Sequence, residues 1–301
     1  MSSSTGIFEI SGVGVFRRLA DFFELCKPRV VMMVLITAFV GYYVASEEVP
    51  NYLGLLKTLF GTALAAGGTL ALNQFLERDT DALMKRTRYR PIPDGRVQPT
   101  EALWFGLILT FSGLAYLAMA VNSMSAGVTA FISTVYLLLY TPLKRVSSIC
   151  VPVGAVPGAL PPVIGWAAVR GTLDVDAWVL FAIMFLWQVP HTLAIAWLYQ
   201  EDYAKAGMKF LPAIEPEGGS THRQVLVHCA ALLVVSLLPT LLGLAGTVYF
   251  VVAFVLGVGF LVTGLRLAIE SNSRGARRLL FASLIYLPAL LLTMALNRVV
   301  S

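Results

Sequence analysis

The chain has 301 residues, of which 57% are hydrophobic and 13% charged, with a mean hydropathy of +0.78. Soluble domains carry about 25% charged residues, so an ordinary soluble globule is excluded. Disorder is excluded too, because it needs low hydrophobicity and high net charge. The net charge is +5, but the positions of the charges speak for membrane topology, not for nucleic acid. Cys26, Cys150 and Cys229 have neither disulfide nor metal-ligand spacing.

A bilayer core about 30 Å thick needs roughly 20 apolar residues per helix. Nine such runs are predicted, at about 30–46, 53–75, 102–121, 125–141, 151–169, 177–198, 225–243, 247–265 and 279–297. The expected fold is all-α: a single polytopic membrane domain over 1–301, of which 1–25 form a cytoplasmic N-terminal segment. The first run is too long for a signal-peptide core and reads as a retained helix. The segment before it carries Glu9, Asp21 and Glu24, which disfavours a mitochondrial transit peptide.

With the N-terminus placed inside, 19 of the 22 Lys and Arg residues fall on one side; the other side holds Lys57, Arg170 and Arg298. The positive-inside rule then puts the N-terminus in the cytoplasm and the C-terminus outside, which fits an odd number of spans. The fifth run contains Pro152, Pro157, Pro161 and Pro162. These prolines free backbone groups that must be satisfied inside the protein or along a wet cavity. The long inside loops follow the second and sixth spans, so the chemistry is expected on the cytoplasmic side.

At the end of the second span, Asn73, Glu77 and Asp81 stand at four-residue steps. They drift only about 80° around a helix, so they share one face. Two carboxylates and an amide oxygen make a hard-oxygen site that suits Mg²⁺, which is commonly held by one or two carboxylates plus substrate phosphates. Lys85, Arg86, Arg88, Arg90 and Arg96 follow directly, as a diphosphate requires. The plain alternative for the cations is that they only set topology.

In the sixth span His191 lies beside Gln188. An intramembrane histidine is a functional candidate because buried polar groups in lipid need partners; the alternative is a neutral histidine bonded to a carbonyl. If the helix continues, His191 and Asp202 share a face, about 20° apart and roughly 16 Å along the axis. Tyr140, Lys144 and Arg145 cap the fourth span on the inside, either as an interfacial anchor or as part of the same site. Spans seven to nine are expected to complete the wall. Two acidic clusters flanked by cations, with an apolar lining for a lipid tail, point to metal-assisted ionisation of a diphosphate.

These residues resemble the UbiA-type intramembrane prenyltransferase superfamily and, more narrowly, its haem O synthase (protohaem IX farnesyltransferase) branch. The superfamily pattern is an Asn followed at four-residue steps by two acids, here Asn73, Glu77 and Asp81, with Glu77 where Asp is commoner. Branch signatures are KPR at 27–29, NxxxExDxDxxMxRTxxRP from 73, PDGRV at 93–97, YTPLKR at 140–145, PGALPPVIGW at 157–166, WQVPH at 187–191 and DYxxAG...LP at 202–212.

The resemblance implies nine helices around a central cavity open to the cytoplasm, in a bacterial plasma (inner) membrane. It implies transfer of a farnesyl group from farnesyl diphosphate to a vinyl group of haem b, with addition of water, giving haem O. Asn73, Glu77, Asp81 and Asp202 would bind metal and diphosphate. Lys85, Arg86 and Arg90 would hold the diphosphate, and Lys144 and Arg145, beside Tyr140, either it or the haem propionates. His191 would contact haem, with Gln188 as its hydrogen-bond partner. Membrane lipid surrounds such a protein, and haem A synthase or a second copy of the chain would be its candidate protein contacts. The alternative acceptor is an aromatic quinone precursor. A transporter would carry its polar residues at the midplane, whereas these acids sit at the membrane edge.

Overall fold

The computed structural model describes residues 6–47 and 49–299, with side chains from Gly14 onward; Glu9, Val300 and Ser301 therefore lie outside the described side chains. In chain order the elements are α1 (Gly6–Leu25), α2 (Pro28–Ala45), α3 (Tyr52–Leu83), α4 (Pro99–Ala120), α5 (Ser123–Thr134), a π turn (Val135–Tyr140) and α6 (Thr141–Leu143). There follow α7 (Cys150–Ala159), α8 (Pro161–Arg170), α9 (Val175–Leu198), α10 (Gln200–Lys205), α11 (Leu211–Ile214), α12 (Gly219–Val235), α13 (Leu238–Leu241), α14 (Thr247–Glu270) and α15 (Ser273–Leu296). Among the described residues nine helical stretches are long and apolar enough to cross a membrane, one at each predicted run.

Three boundaries differ from the sequence expectation in ways that matter. The second span does not end near residue 75: α3 runs on to Leu83 and carries all three oxygen donors on one continuous helix. The proline-rich fifth span is two helices meeting at Leu160, with Pro161 and Pro162 opening the second. Proline is well placed there because the first helical turn needs no N–H partner. The segment before the first span is itself helical, as α1, which hydropathy alone does not predict.

The helices approach closely where glycines face one another's backbones. A Cβ on Gly41 of α2 would lie 1.9 Å from the Pro162 carbonyl oxygen of α8, and one on Gly165 of α8 would lie 2.0 Å from Ala38 O. Gly68 of α3 meets Thr110 of α4 in the same manner. In lipid there is no hydrophobic gain from pairing helices, so such close backbone packing is what holds them. Asn122 Nδ2 donates to Ala167 O at 2.8 Å and Ser125 Oγ to Ile164 O at 3.3 Å, tying α5 to α8. The π turn widens the backbone so that Thr141 N–H and Thr141 Oγ1 both reach Tyr136 O. Such turns are frequent at functional sites, and this one faces the polar residues described next.

Candidate functional site

Asn73, Glu77 and Asp81 lie on one face of α3, as their spacing requires, and all three are buried. Each oxygen donor is met by a cation from a different segment. Lys27 Nζ donates to Asn73 Oδ1 at 2.8 Å. Lys144 Nζ pairs with Glu77 Oε1 at 2.6 Å, and Arg90 Nη1 with Asp81 Oδ2 at 2.6 Å. Asn73 Nδ2 in turn donates to Thr141 Oγ1 at 3.1 Å, tying the face to the π turn.

Local folding brings these cations in. Lys27 ends the turn between α1 and α2 in a left-handed conformation, φ 48°, which is uncommon for a non-glycine residue. The loop after α3 coils back over the helix end: Thr87 Oγ1 donates to Asp81 O at 2.8 Å, and Met84, Thr87, Ile92 and Val97 are buried beneath it. That coil swings Arg90 onto Asp81. Gly207, at φ +69°, turns the chain after α10 so that Met208 and Phe210 come back inward, and Lys209 N–H bonds Lys144 O at 2.6 Å.

Together these side chains enclose a cavity of about 170 Å³ lined by Lys27, Asn73, Glu77, Asp81, Arg86, Arg90, Tyr136, Tyr140, Lys144 and Tyr203, with Met84, Met208 and Phe210. Arg86 stands 5.0 Å over the Tyr199 ring and donates to Tyr203 Oη at 3.2 Å. The Lys144 ammonium lies 4.4 Å from the centre of the Tyr140 ring. Burial works against the charge on Lys144, but Tyr140 and the Glu77 carboxylate outweigh it and raise its pKa. Burial, helped by the nearby Arg90, lowers Lys27 to about 7.

The cavity gathers Asn73, Glu77, Asp81, Arg86, Arg90, Tyr140 and Lys144 from the sequence-predicted set. Lys85 is exposed on the adjoining loop. Arg145 lines a neighbouring apolar groove of about 420 Å³, which shares Glu77 and Lys144 with the first cavity. Asp202 is half-buried on α10 and does not join the donors; it is its neighbour Tyr203 that lines the cavity. The reason is a break at Tyr199 (φ −116°, ψ 23°), which ends α9 at Leu198. The azimuth shared by His191 and Asp202 on one continuous helix is therefore lost. Among the described residues no three His, Cys, Asp or Glu side chains converge, so the donor set is one amide and two carboxylates.

His191 and Gln188 lie further along α9. The His191 Nδ1 is 2.7 Å from Ser283 Oγ of α15, and its ring stacks on Trp187 at 4.7 Å. The expected partner Gln188 instead packs over Gly158 of α7. Sequence reasoning also passed over Lys27, Tyr136 and Tyr203 as site residues. The signals were present in the lysine of KPR, in a tyrosine one helical turn before Tyr140, and in the DY pair.

The donor set suits a hard divalent ion. Asp81 Oδ1 is buried without a hydrogen-bond partner, an arrangement that costs free energy unless the atom has a use. Four basic side chains around it suit a polyanion. Fold and site thus define a membrane-embedded helical bundle with a buried cavity of two carboxylates, an amide and four basic side chains at the end of α3.

The UbiA prenyltransferase family model matches residues 34–285, and the chain belongs to that family. It is 46% identical over 289 residues to the protoheme IX farnesyltransferase of Solibacter usitatus, covering 93% of this chain and 99% of the relative. The protoheme IX farnesyltransferase of Koribacter versatilis is 40% identical, with both chains covered in full. Among solved structures, a digeranylgeranylglyceryl phosphate synthase superimposes with a TM-score of 0.80 at 19% identity, covering 93% of this chain and 98% of that one. A UbiA homologue from Archaeoglobus fulgidus bound to DMAPP and Mg²⁺ gives a TM-score of 0.65 at 15% identity, covering 91% and 99%.

Proposed function

We propose that the protein transfers a farnesyl group from farnesyl diphosphate to a vinyl carbon of haem b, with water completing the addition, to give haem O. The observation that carries this reading is the full-length similarity to protoheme IX farnesyltransferases, and the oxygen-donor face of α3 supports it.

Asn73 Oδ1, Glu77 and Asp81 would hold Mg²⁺, with Asp202, next to the cavity-lining Tyr203, assigned to a second ion. When bound, Mg²⁺ neutralises charge on the diphosphate and so eases its departure from the allylic carbon. Arg86, Arg90, Lys27 and Lys144 would bind phosphate oxygens, the guanidinium groups as bidentate forks, with Lys85 at the rim. The Tyr136 and Tyr140 rings line the same cavity, and aromatic faces stabilise a developing cation. Arg145 would take a haem propionate. His191, with Nδ1 held by Ser283, would offer Nε2 to haem iron. The Lys and Arg asymmetry supports a site on the cytoplasmic face, in the bacterial plasma membrane that this reading implies.

The test is mass spectrometry of haem extracted from membranes made with and without the protein. Haem carrying a hydroxyethylfarnesyl group is expected only with it. A prenylated aromatic ring and unaltered haem b would sink the reading.

A further inference from the structure

We infer that Lys27, Arg90 and Lys144 stand in for the metal, so that the site takes a divalent ion only together with a diphosphate. This rests on the reading of the α3 face as a metal–diphosphate site, and it concerns the chain's own residues.

Every donor group a metal needs is already engaged. Asn73 Oδ1 accepts from Lys27 at 2.8 Å, Glu77 Oε1 from Lys144 at 2.6 Å, and Asp81 Oδ2 from Arg90 at 2.6 Å. The three partners arrive from the α1–α2 turn, the end of the fourth span and the loop after α3, so no single segment movement releases them. The lining holds four basic side chains against two carboxylates. A lone divalent ion would enter a site already rich in positive charge, take Lys144 and Arg90 from their carboxylates and take Lys27 from its amide partner. Breaking the two buried ion pairs in that way is strongly unfavourable.

A diphosphate reverses the balance. Each cation can leave its oxygen donor for a phosphate oxygen by reorienting a long flexible side chain, and the freed donors would then be available to hold the ion. Asp81 Oδ1 is buried and unpaired, so one donor atom is left open for that exchange. The left-handed backbone at Lys27, φ 48°, supports a dedicated role, because strained conformations persist where function over-determines them. Coupling of this kind is reciprocal: the factor by which diphosphate tightens the metal is the factor by which the metal tightens diphosphate.

The experiment measures Mn²⁺ retained by the purified full-length protein on ultrafiltration, with and without inorganic pyrophosphate. The expected result is little retention of Mn²⁺ alone, and binding tightened by roughly ten- to a hundredfold when pyrophosphate is present, the usual range for linked ligands. Lys27→Met and Arg90→Met should each retain Mn²⁺ without pyrophosphate better than the unmutated protein does. Lys27→Met leaves no carboxylate without its cation, so it serves should Arg90→Met fail to fold. Equal Mn²⁺ retention with and without pyrophosphate would overturn the inference and leave the metal site standing. Variants that bind Mn²⁺ no better would also overturn it. No retention under any condition would overturn the inference and the metal-site reading together.

Discussion

His191 Nδ1 meets Ser283 Oγ at 2.7 Å, joining the middle of α9 to α15. Ser283 Oγ also donates to Leu280 O at 2.6 Å, and Trp187 Nε1 donates to Ser283 O at 2.9 Å. Ser283 at Nδ1 and the stacked Trp187 ring thus fix the imidazole's orientation, as a metal-ligating histidine needs. His191→Ala should weaken haem b binding to the purified protein and remove the ligand-dependent part of the Soret shift, while farnesyl diphosphate binding changes little. Ser283→Ala should cost roughly 10–100-fold in haem affinity, the usual effect of losing an orienting partner. Unchanged haem titrations in both variants would make His191 a structural histidine.

Asp81 is the donor with an unpaired buried oxygen. Asp81→Asn keeps the shape and removes the charge, and should leave less than about 1% of turnover, as when a preorganised electrostatic partner is lost. Arg86→Lys keeps the charge and loses the fork over Tyr199 and Tyr203, so diphosphate affinity should fall more than charge alone predicts. Steady-state kinetics with varied farnesyl diphosphate checks both; full activity of Asp81→Asn would remove it from the metal set.

All nine spans were legible from hydropathy, because a helix in lipid must be apolar and satisfy its own backbone. The end of α3 was not, because Glu77 and Asp81 read as polar until Lys144 and Arg90 arrive from other segments to pair with them. The three-donor face was legible because it obeys local helical spacing. The face shared by His191 and Asp202 was misread because the break at Tyr199 bears no proline or glycine to announce it. Ser283 is a small residue on an apolar helix, and only tertiary packing reveals that it holds His191.

The close crossing of α2 and α8 gives a stability prediction. A Cβ at Gly41 would clash with backbone at Pro162, which cannot yield as a flexible side chain could. Gly41→Ala should destabilise by about 1–3 kcal/mol, the cost of overpacking. Gly127, where a Cβ would meet nothing within 4 Å, should tolerate alanine within about 1 kcal/mol. Thermal unfolding in detergent compares the two; equal midpoints would mean that the α2–α8 contact is looser than its geometry.

The charge asymmetry predicts a topology with the N-terminus inside and the C-terminus outside. A reporter fused after Ser301 should read as external, and one inserted in the 86–96 loop as cytoplasmic. A cytoplasmic signal from the C-terminal fusion would require an even number of crossings and remove one of the nine helices from the membrane.

Arg96 supplies the last prediction. Its guanidinium binds Asp21 of α1, Glu24 Oε2 of α1 at 3.0 Å, Asp94 Oδ2 at 3.0 Å and Tyr89 O at 2.8 Å. Burial opposes its charge, but Glu24, Asp94 and Asp21 outweigh that and raise its pKa. One side chain therefore pins α1 to the loop that carries Arg86 and Arg90. Gln74 adds to the docking by donating to Leu25 O at 3.0 Å. Lysine cannot span this set of acceptors, since it lacks the planar fork. Arg96→Lys should lower the free energy of opening α1 by about 1 kcal/mol, the scale of partly exposed ion pairs. Hydrogen exchange across Phe16–Leu25 should speed up accordingly while the spans stay protected. The KM for farnesyl diphosphate should rise as well, because the loop holding Arg86 and Arg90 loses its anchor. Unchanged exchange in α1 would show that Phe22 against Phe105, with ring centres 5.0 Å apart, suffices to dock the helix.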